Sequence, residues 1–267
     1  YSHTDEILLH NINSYNLTRY EEASPRISDG MLQKLKDVTK SEKSVIVLQQ
    51  PTGHGKTFLT NVLIQEKMKE LGKNTSILSI VSRRSMIGTH LVAFDKLNME
   101  SYLSWNPCKR KFITSLESLP YTEELYDIVI LDEFNSLMTH FYSGTMDKER
   151  KLSLNKLVKV IRNAYLVIIA NAIMTDMGFT FITSLCNNIH YYRNHFKNKI
   201  GVNLNAYYVT DIQSTIDDKI VKFCQKFKNG IQSSESILIV CDSAKIAIKI
   251  RNYLSQWNAN IDYFKLY

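Results

Sequence analysis

The sequence predicts an α/β fold in which helices cover both faces of a parallel sheet, and three observations predict it. Apolar runs of strand length alternate with longer segments of helical period. The strongest runs, Val45 to Leu48, Asp127 to Leu131 and Tyr165 to Ala170, read as strands buried inside such a sheet. One of them leads through a glycine-bearing turn directly into a helix. That order places backbone N–H groups around an anion.

Each element follows in turn. Residues 1–40 are polar and read as an N-terminal extension. Val45 to Leu48 opens a lobe spanning 41–195, with a helix from about Lys56 to Leu71 behind it. Ser76 to Val81 is the next strand, followed by a helix from about Ser85 to Leu97. Phe112 to Thr114 is a short strand and Asp127 to Leu131 a strong one. A helix from about Lys148 to Arg162 leads to the strand Tyr165 to Ala170. Ile189 to Val209 reads as strand material broken by Asn and Lys, and Asp211 to Lys228 as an amphipathic helix. A new β-α-β unit follows: Ser236 to Cys241, Ala244 to Trp257 and Ile261 to Leu266. Residues 200–267 are therefore expected to begin a second lobe that stops in mid-strand. The first residue is Tyr1 rather than Met, so the chain is expected to be a piece of a longer polypeptide.

Composition narrows the class. With 267 residues, 44% hydrophobic and 22% charged, the chain can bury a full core and shows no sign of disorder. Its apolar runs fall far short of the roughly 20 residues that span a bilayer, so no membrane partner is expected. No secretory signal is visible. Cys108, Cys186, Cys224 and Cys241 have neither CxxC spacing nor paired histidines. They read as reduced thiols in an intracellular setting, cytoplasm or nucleus. The net charge of +7 favours a polyanionic partner.

The chemistry is concentrated in two places. Gln50-Pro51-Thr52-Gly53-His54-Gly55-Lys56-Thr57 has the A-x-x-G-x-G-K-T form of a phosphate-binding loop, with Gln50 where Ala is usual. Lys56 would reach the β- and γ-phosphates and the Thr57 hydroxyl would ligate Mg²⁺. The second place is Asp132-Glu133, at the tip of the strand that starts at Asp127. A carboxylate there can hold magnesium through water, and its neighbour can polarise the attacking water. Lys56, Asp132 and Glu133 are the candidate catalytic residues, with Thr57 and Asp132 at the metal. Adjacent carboxylates argue for hydrolysis rather than transfer to an acceptor.

Two segments should share the rim of the sheet with this site. Ser82-Arg83-Arg84-Ser85 follows the second strand of the lobe and Thr114-Ser115 ends the third. Arginines and hydroxyls at Arg83, Arg84, Ser85, Thr114 and Ser115 suit a nucleic-acid backbone, which needs donors rather than base-edge geometry. Lys109-Arg110-Lys111 reads as a solvated basic turn. Tyr191-Tyr192-Arg193 reads as packing rather than a stacking platform for bases.

In their order these segments resemble superfamily 2 helicases, and among them the origin-of-replication-binding helicases of herpesviruses and other large DNA viruses. The loop from Gln50 to Thr57 corresponds to motif I and Ser82 to Ser85 is similar to motif Ia with its paired arginines. Thr114 to Leu119 resembles the Ib segment, and Leu131-Asp132-Glu133-Phe134-Asn135-Ser136 resembles motif II. Asn171 to Asp176 takes the place of motif III, where the family carries an acidic residue at the Asn171 position. Ile237 to Ser243 takes the place of motif IV. The resemblance covers about Ser41 to Tyr267. It implies two RecA-like lobes, ATP and Mg²⁺ as cofactors, and a DNA strand as partner. Other replication proteins and the rest of a longer polypeptide are further expected partners. RNA stays open, because backbone contacts separate the two poorly. Motifs V and VI would lie beyond Tyr267, with the arginine finger in motif VI, so the piece by itself is expected to be inactive. Two rival readings remain: a ring-forming P-loop ATPase that initiates replication or packages DNA, and a non-catalytic module that holds origin DNA.

Overall fold

A continuously apolar strand needs a hydrogen-bonding neighbour on each edge and a helix over each face. The computed structural model, which describes residues 15–104, 110–123 and 125–196, supplies both. All of these residues lie in the first of two units of the chain, Tyr1–Lys199. The second lobe expected over 200–267, motif IV within it, and the end of the strand predicted to reach Val209 lie outside the described residues.

Eight strands form one parallel sheet, β1 (Thr18–Glu22), β2 (Ser44–Gln49), β3 (Ile77–Val81), β4 (Glu100–Ser101), β5 (Lys111–Ser115), β6 (Ile128–Asp132), β7 (Leu166–Asn171) and β8 (Ile189–Asn194). Their order is β1-β8-β2-β7-β6-β3-β5-β4, with every pair parallel. Among the described residues, six helices connect them: α1 (Asp29–Thr39), α2 (Lys56–Leu71), α3 (Met86–Ala93), α4 (Phe134–His140), α5 (Arg150–Asn163) and α6 (Asp176–Leu185). Among the described residues, no helix is long and apolar enough to cross a membrane.

Alternation along the strands sorts the core into two layers. Val45, Val47, Leu78, Ile80, Val129, Leu131, Val167 and Ile169 face the layer that holds Phe134, Leu137, Leu157, Val160, Phe179 and Ile182 of α4, α5 and α6. Ile46, Leu48, Ile77, Val81, Ile128, Ile130, Leu166 and Ile168 face Leu35, Leu59, Leu63, Ile64 and Ile87 of α1, α2 and α3. Burial on both faces is why β2, β3 and β7 are buried throughout.

The main departures from the sequence reading lie at the edges. Five residues of the expected N-terminal extension are part of the sheet, since β1 pairs with β8 from Thr18↔His190 to Glu22↔Asn194. Its polar, partly exposed residues suit an edge strand, which has one open flank and carries a weak hydrophobic signal. Ser28 caps α1 by accepting from Met31 N (3.3 Å). The helix expected from Ser85 to Leu97 ends at Ala93, and a separate 3-10 turn covers Asp95–Leu97.

Candidate nucleotide site and nucleic-acid rim

With every strand parallel, all the carboxyl ends open on one edge, where ligands of such sheets bind. There β7 separates β2 from β6, so the phosphate-loop strand and the Asp132 strand stand about 10 Å apart at their tips.

The loop leaves β2 at Gln49 and enters α2 at Lys56. Gly53 and Gly55 have φ of +81° and +84°, and a Cβ at either would meet nothing within 4 Å. Glycine is needed there for backbone conformation rather than for room. Gly55 caps α2 without any side-chain hydrogen bond, which leaves first-turn N–H groups for an anion. Lys56 Nζ reaches back across the loop to Gln50 O (2.8 Å) and Pro51 O (3.2 Å). Burial lowers its pKa, and the charges of Asp132 and Glu133 act against that shift. The two halves predicted from sequence therefore lie within electrostatic reach of each other. Thr57 is exposed, and His54 is tied to its own loop through Nδ1···Thr52 O (3.0 Å). These residues fit a triphosphate and its magnesium. Among the described residues, no cluster of three or more His, Cys, Asp or Glu could hold a metal on its own. Magnesium shared among a carboxylate, a hydroxyl, phosphate oxygens and water requires none.

Asp132 ends β6 with both carboxylate oxygens engaged. Glu133 N donates to Oδ1 (3.0 Å), and His90 Nε2 lies 3.1 Å from Oδ2. Glu133 is exposed and sits in the left-handed region (φ 49°, ψ 50°), shared among the described non-glycine residues with Asn98 alone. Such a conformation persists only where neighbours enforce it. Phe134 is fully buried behind it. Asn135 bonds Ile173 O (2.5 Å) and Thr175 Oγ1 (3.1 Å), tying the turn to the loop after β7.

Asn171, which stands where an acidic residue was expected, closes that same loop. Its Nδ2 donates to Ile173 O (2.7 Å) and its Oδ1 accepts from Ala172 N (3.1 Å). Gln49 Oε1 accepts from Met174 N and from the Tyr191 hydroxyl, both at 3.0 Å. The ends of β2, β7 and β8 are thus joined through one amide. Tyr191 and Tyr192 are buried as packing residues, and burial raises the pKa of both hydroxyls.

The rim divides. Arg83, Arg84 and Ser85 are exposed just ahead of α3. Thr114 and Ser115, expected to offer hydroxyls to a strand, are buried, with relative exposures of 0% and 2%. They end β5, an interior strand, and the chain turns at once (Ser118 N to Ser115 O, 3.2 Å) above the fully buried Leu116 and Leu119. The accessible side chains at that tip are Glu117 and Ser118, both partly exposed.

Glu117 is tied to α4 through His140 Nε2···Oε1 (2.6 Å). Burial pulls its pKa upward, but hydrogen bonds from His140, its own N–H and Ser115 prevail and hold it below the ordinary value. A depressed carboxylate stabilises the fold above its unfolded pKa and loses that contribution as pH falls through its folded one. Glu117→Gln should therefore destabilise the protein near neutrality. The gap to the parent should close between about pH 5 and pH 3, as measured by urea unfolding at stepped pH. A gap that persists at the acid end would remove the carboxylate from this account.

The residues at this edge that sequence reasoning missed are His90 and Gln49. Each has its partner far away along the chain, Gln49 with Met174 and His90 with Asp132, so no local spacing marks them.

Residues 20–246 match a family model described as origin of replication binding protein. The chain is 27% identical over 194 residues to the replication origin-binding protein of Human herpesvirus 7 (strain JI), covering 70% of this chain and 22% of that protein. It is 25% identical over 241 residues to the same-named protein of Human herpesvirus 6B (strain Z29), covering 87% of this chain and 28% of that one. The chain thus spans about a quarter of the length of these relatives. Among solved structures, the DUF1998 helicase MrfA superposes with a TM-score of 0.53 at 14% identity, covering 87% of this chain and 39% of that one. That likeness concerns the fold alone, a parallel α/β sheet.

Proposed function

This chain belongs to the origin of replication binding protein family, and we propose that it carries the ATP-hydrolysing lobe of a DNA helicase or translocase. One observation carries the reading. A loop with an uncapped helix N-terminus and the carboxylates of Asp132 and Glu133 meet at one edge of the sheet, close enough for both charges to act on Lys56.

Magnesium-bound ATP would supply the phosphoanhydride bond and the cation that spreads its charge. The N–H groups of residues 50–57 would bind the phosphate chain, and Lys56 would hold the β- and γ-oxygens. The Thr57 hydroxyl and, through water, Asp132 would hold the metal. Glu133, exposed and adjacent to Asp132, would take the proton of the attacking water. Arg83, Arg84 and Ser85 would contact a DNA strand through its phosphates, without reading sequence. DNA is preferred over RNA because the relatives are named for binding replication origins. The setting is intracellular.

The test uses full-length protein. Single-stranded DNA should raise the ATPase rate of the wild type, and Lys56→Ala should abolish the basal and stimulated rates together. Replacing both Arg83 and Arg84 by Ala should flatten the dependence of log affinity on log salt by about 1.4. A rate indifferent to DNA would end the motor reading. Nucleotide binding without turnover would favour a module that only holds DNA.

A further inference from the structure

Helix α3 is anchored beside both positions that this reading gives to magnesium. His90, on its inner face and 3% exposed, lies between Ser79 Oγ (Nδ1, 3.0 Å) and Asp132 Oδ2 (Nε2, 3.1 Å). A carboxylate only accepts, so Nε2 carries a proton, and in the neutral ring Nδ1 accepts from the Ser79 hydroxyl. Phe94 meets the ring edge-on at a centroid distance of 5.5 Å and limits its tilt. At the C-terminal end of α3, less than a turn beyond His90, Asn61 Nδ2 donates to Ala93 O (2.9 Å), and it also donates to Thr57 O (3.1 Å). Arg83, Arg84 and Ser85 lead directly into the first turn of the same helix, with Met86 N donating to Arg83 O (3.0 Å).

These contacts make α3 a link between the strand rim and the phosphate site. With one Asp132 oxygen held by Glu133 N–H and the other by His90, the plane of the carboxylate is set by where α3 stands. A displacement of the helix would carry His90 and the Ala93 carbonyl together, and through them Asp132 and the Thr57 turn. From this we infer that His90 is a positioning residue that couples DNA contact at Arg83–Ser85 to the alignment of Asp132, with Asn61 making the matching tie to the loop helix. The inference rests on the proposed ATPase reading. It adds a route between the two ligands that nothing about the loop or the acidic pair requires.

Coupling of this kind commonly changes affinity about 5- to 150-fold and is reciprocal for binding, and a rate ratio is expected to move on a similar scale. In full-length protein, His90→Leu should reduce the ratio of DNA-stimulated to basal ATPase by about tenfold. In a separate equilibrium measurement, the change in single-stranded DNA affinity caused by magnesium and a non-hydrolysable ATP analogue should shrink or vanish, while affinity without nucleotide stays unchanged. His90→Gln, whose amide can still donate to Asp132, should recover at least half of the ratio. Ser79→Ala, a small change that frees the back of the ring, should give an intermediate loss and serves if His90→Leu does not fold. A normal ratio in folded His90→Leu or in Ser79→Ala overturns the coupling. So does a folded His90→Gln that behaves like His90→Leu, since the donor would then be irrelevant. A wild type that DNA does not stimulate overturns the ATPase reading itself, a result separable from the others.

Discussion

In full-length protein, Glu133→Gln is expected to lower kcat for ATP hydrolysis by about 10²- to 10⁴-fold, the usual contribution of a general base. Nucleotide affinity should change little. The amide keeps the shape of the side chain and removes its ability to take a proton. The backbone N–H of Glu133, which fixes Asp132 Oδ1 at 3.0 Å, is untouched, so the Asp132 carboxylate keeps its orientation. Steady-state turnover together with binding of a fluorescent nucleotide separates the two effects. Turnover near the wild-type rate would exclude Glu133 as the base.

The second large effect is structural. Phe134→Ala should destabilise the described unit by about 3–5 kcal/mol, the range for emptying a buried phenylalanine site. The ring is fully buried and packs near Phe181, with centroids 6.1 Å apart. It also lies 3.4 Å from where a Cβ on Gly178 would stand, so α6 approaches closely at that point. Because Phe134 directly follows the left-handed Glu133, its loss should free that turn as well as open a cavity. Chemical denaturation of the variant would show it. A loss below about 1 kcal/mol would mean that neighbours close over the gap or that the ring is not an anchor.

The sequence made the centre of this molecule legible and its borders obscure, for a physical reason. Strands β2, β6 and β7 are buried on both faces and announce themselves as unbroken apolar runs, and α2 begins and ends at Lys56 and Leu71 as expected. Edge strand β1 buries little, so its residues carry no such pattern, and its partner β8 is far along the chain. The same contrast holds at the site. Lys56, Asp132 and Glu133 belong to local motifs and are brought together in the structure. Thr114 and Ser115 read as rim residues because they end a strand, but position along a strand does not say which tips stay open. His90 lies five residues beyond Ser85, yet its meaning resides in an aspartate 42 positions away.

Strand order has a consequence for how the chain is made. The strand that delivers the phosphate loop, β2, pairs with β7 and β8, beginning at Ser44↔Leu166 and Val45↔Ile189. During synthesis it would emerge from the ribosome with neither neighbour yet translated. Its fully apolar stretch would wait through the production of β3 to β6, which can pair among themselves first. Long-range parallel pairing of this sort is slow and leaves sticky edges open. The glycine loop and Asp132 would then come together only once β7 is made, and a nascent chain stalled before Leu166 would hold that loop on a strand without partners.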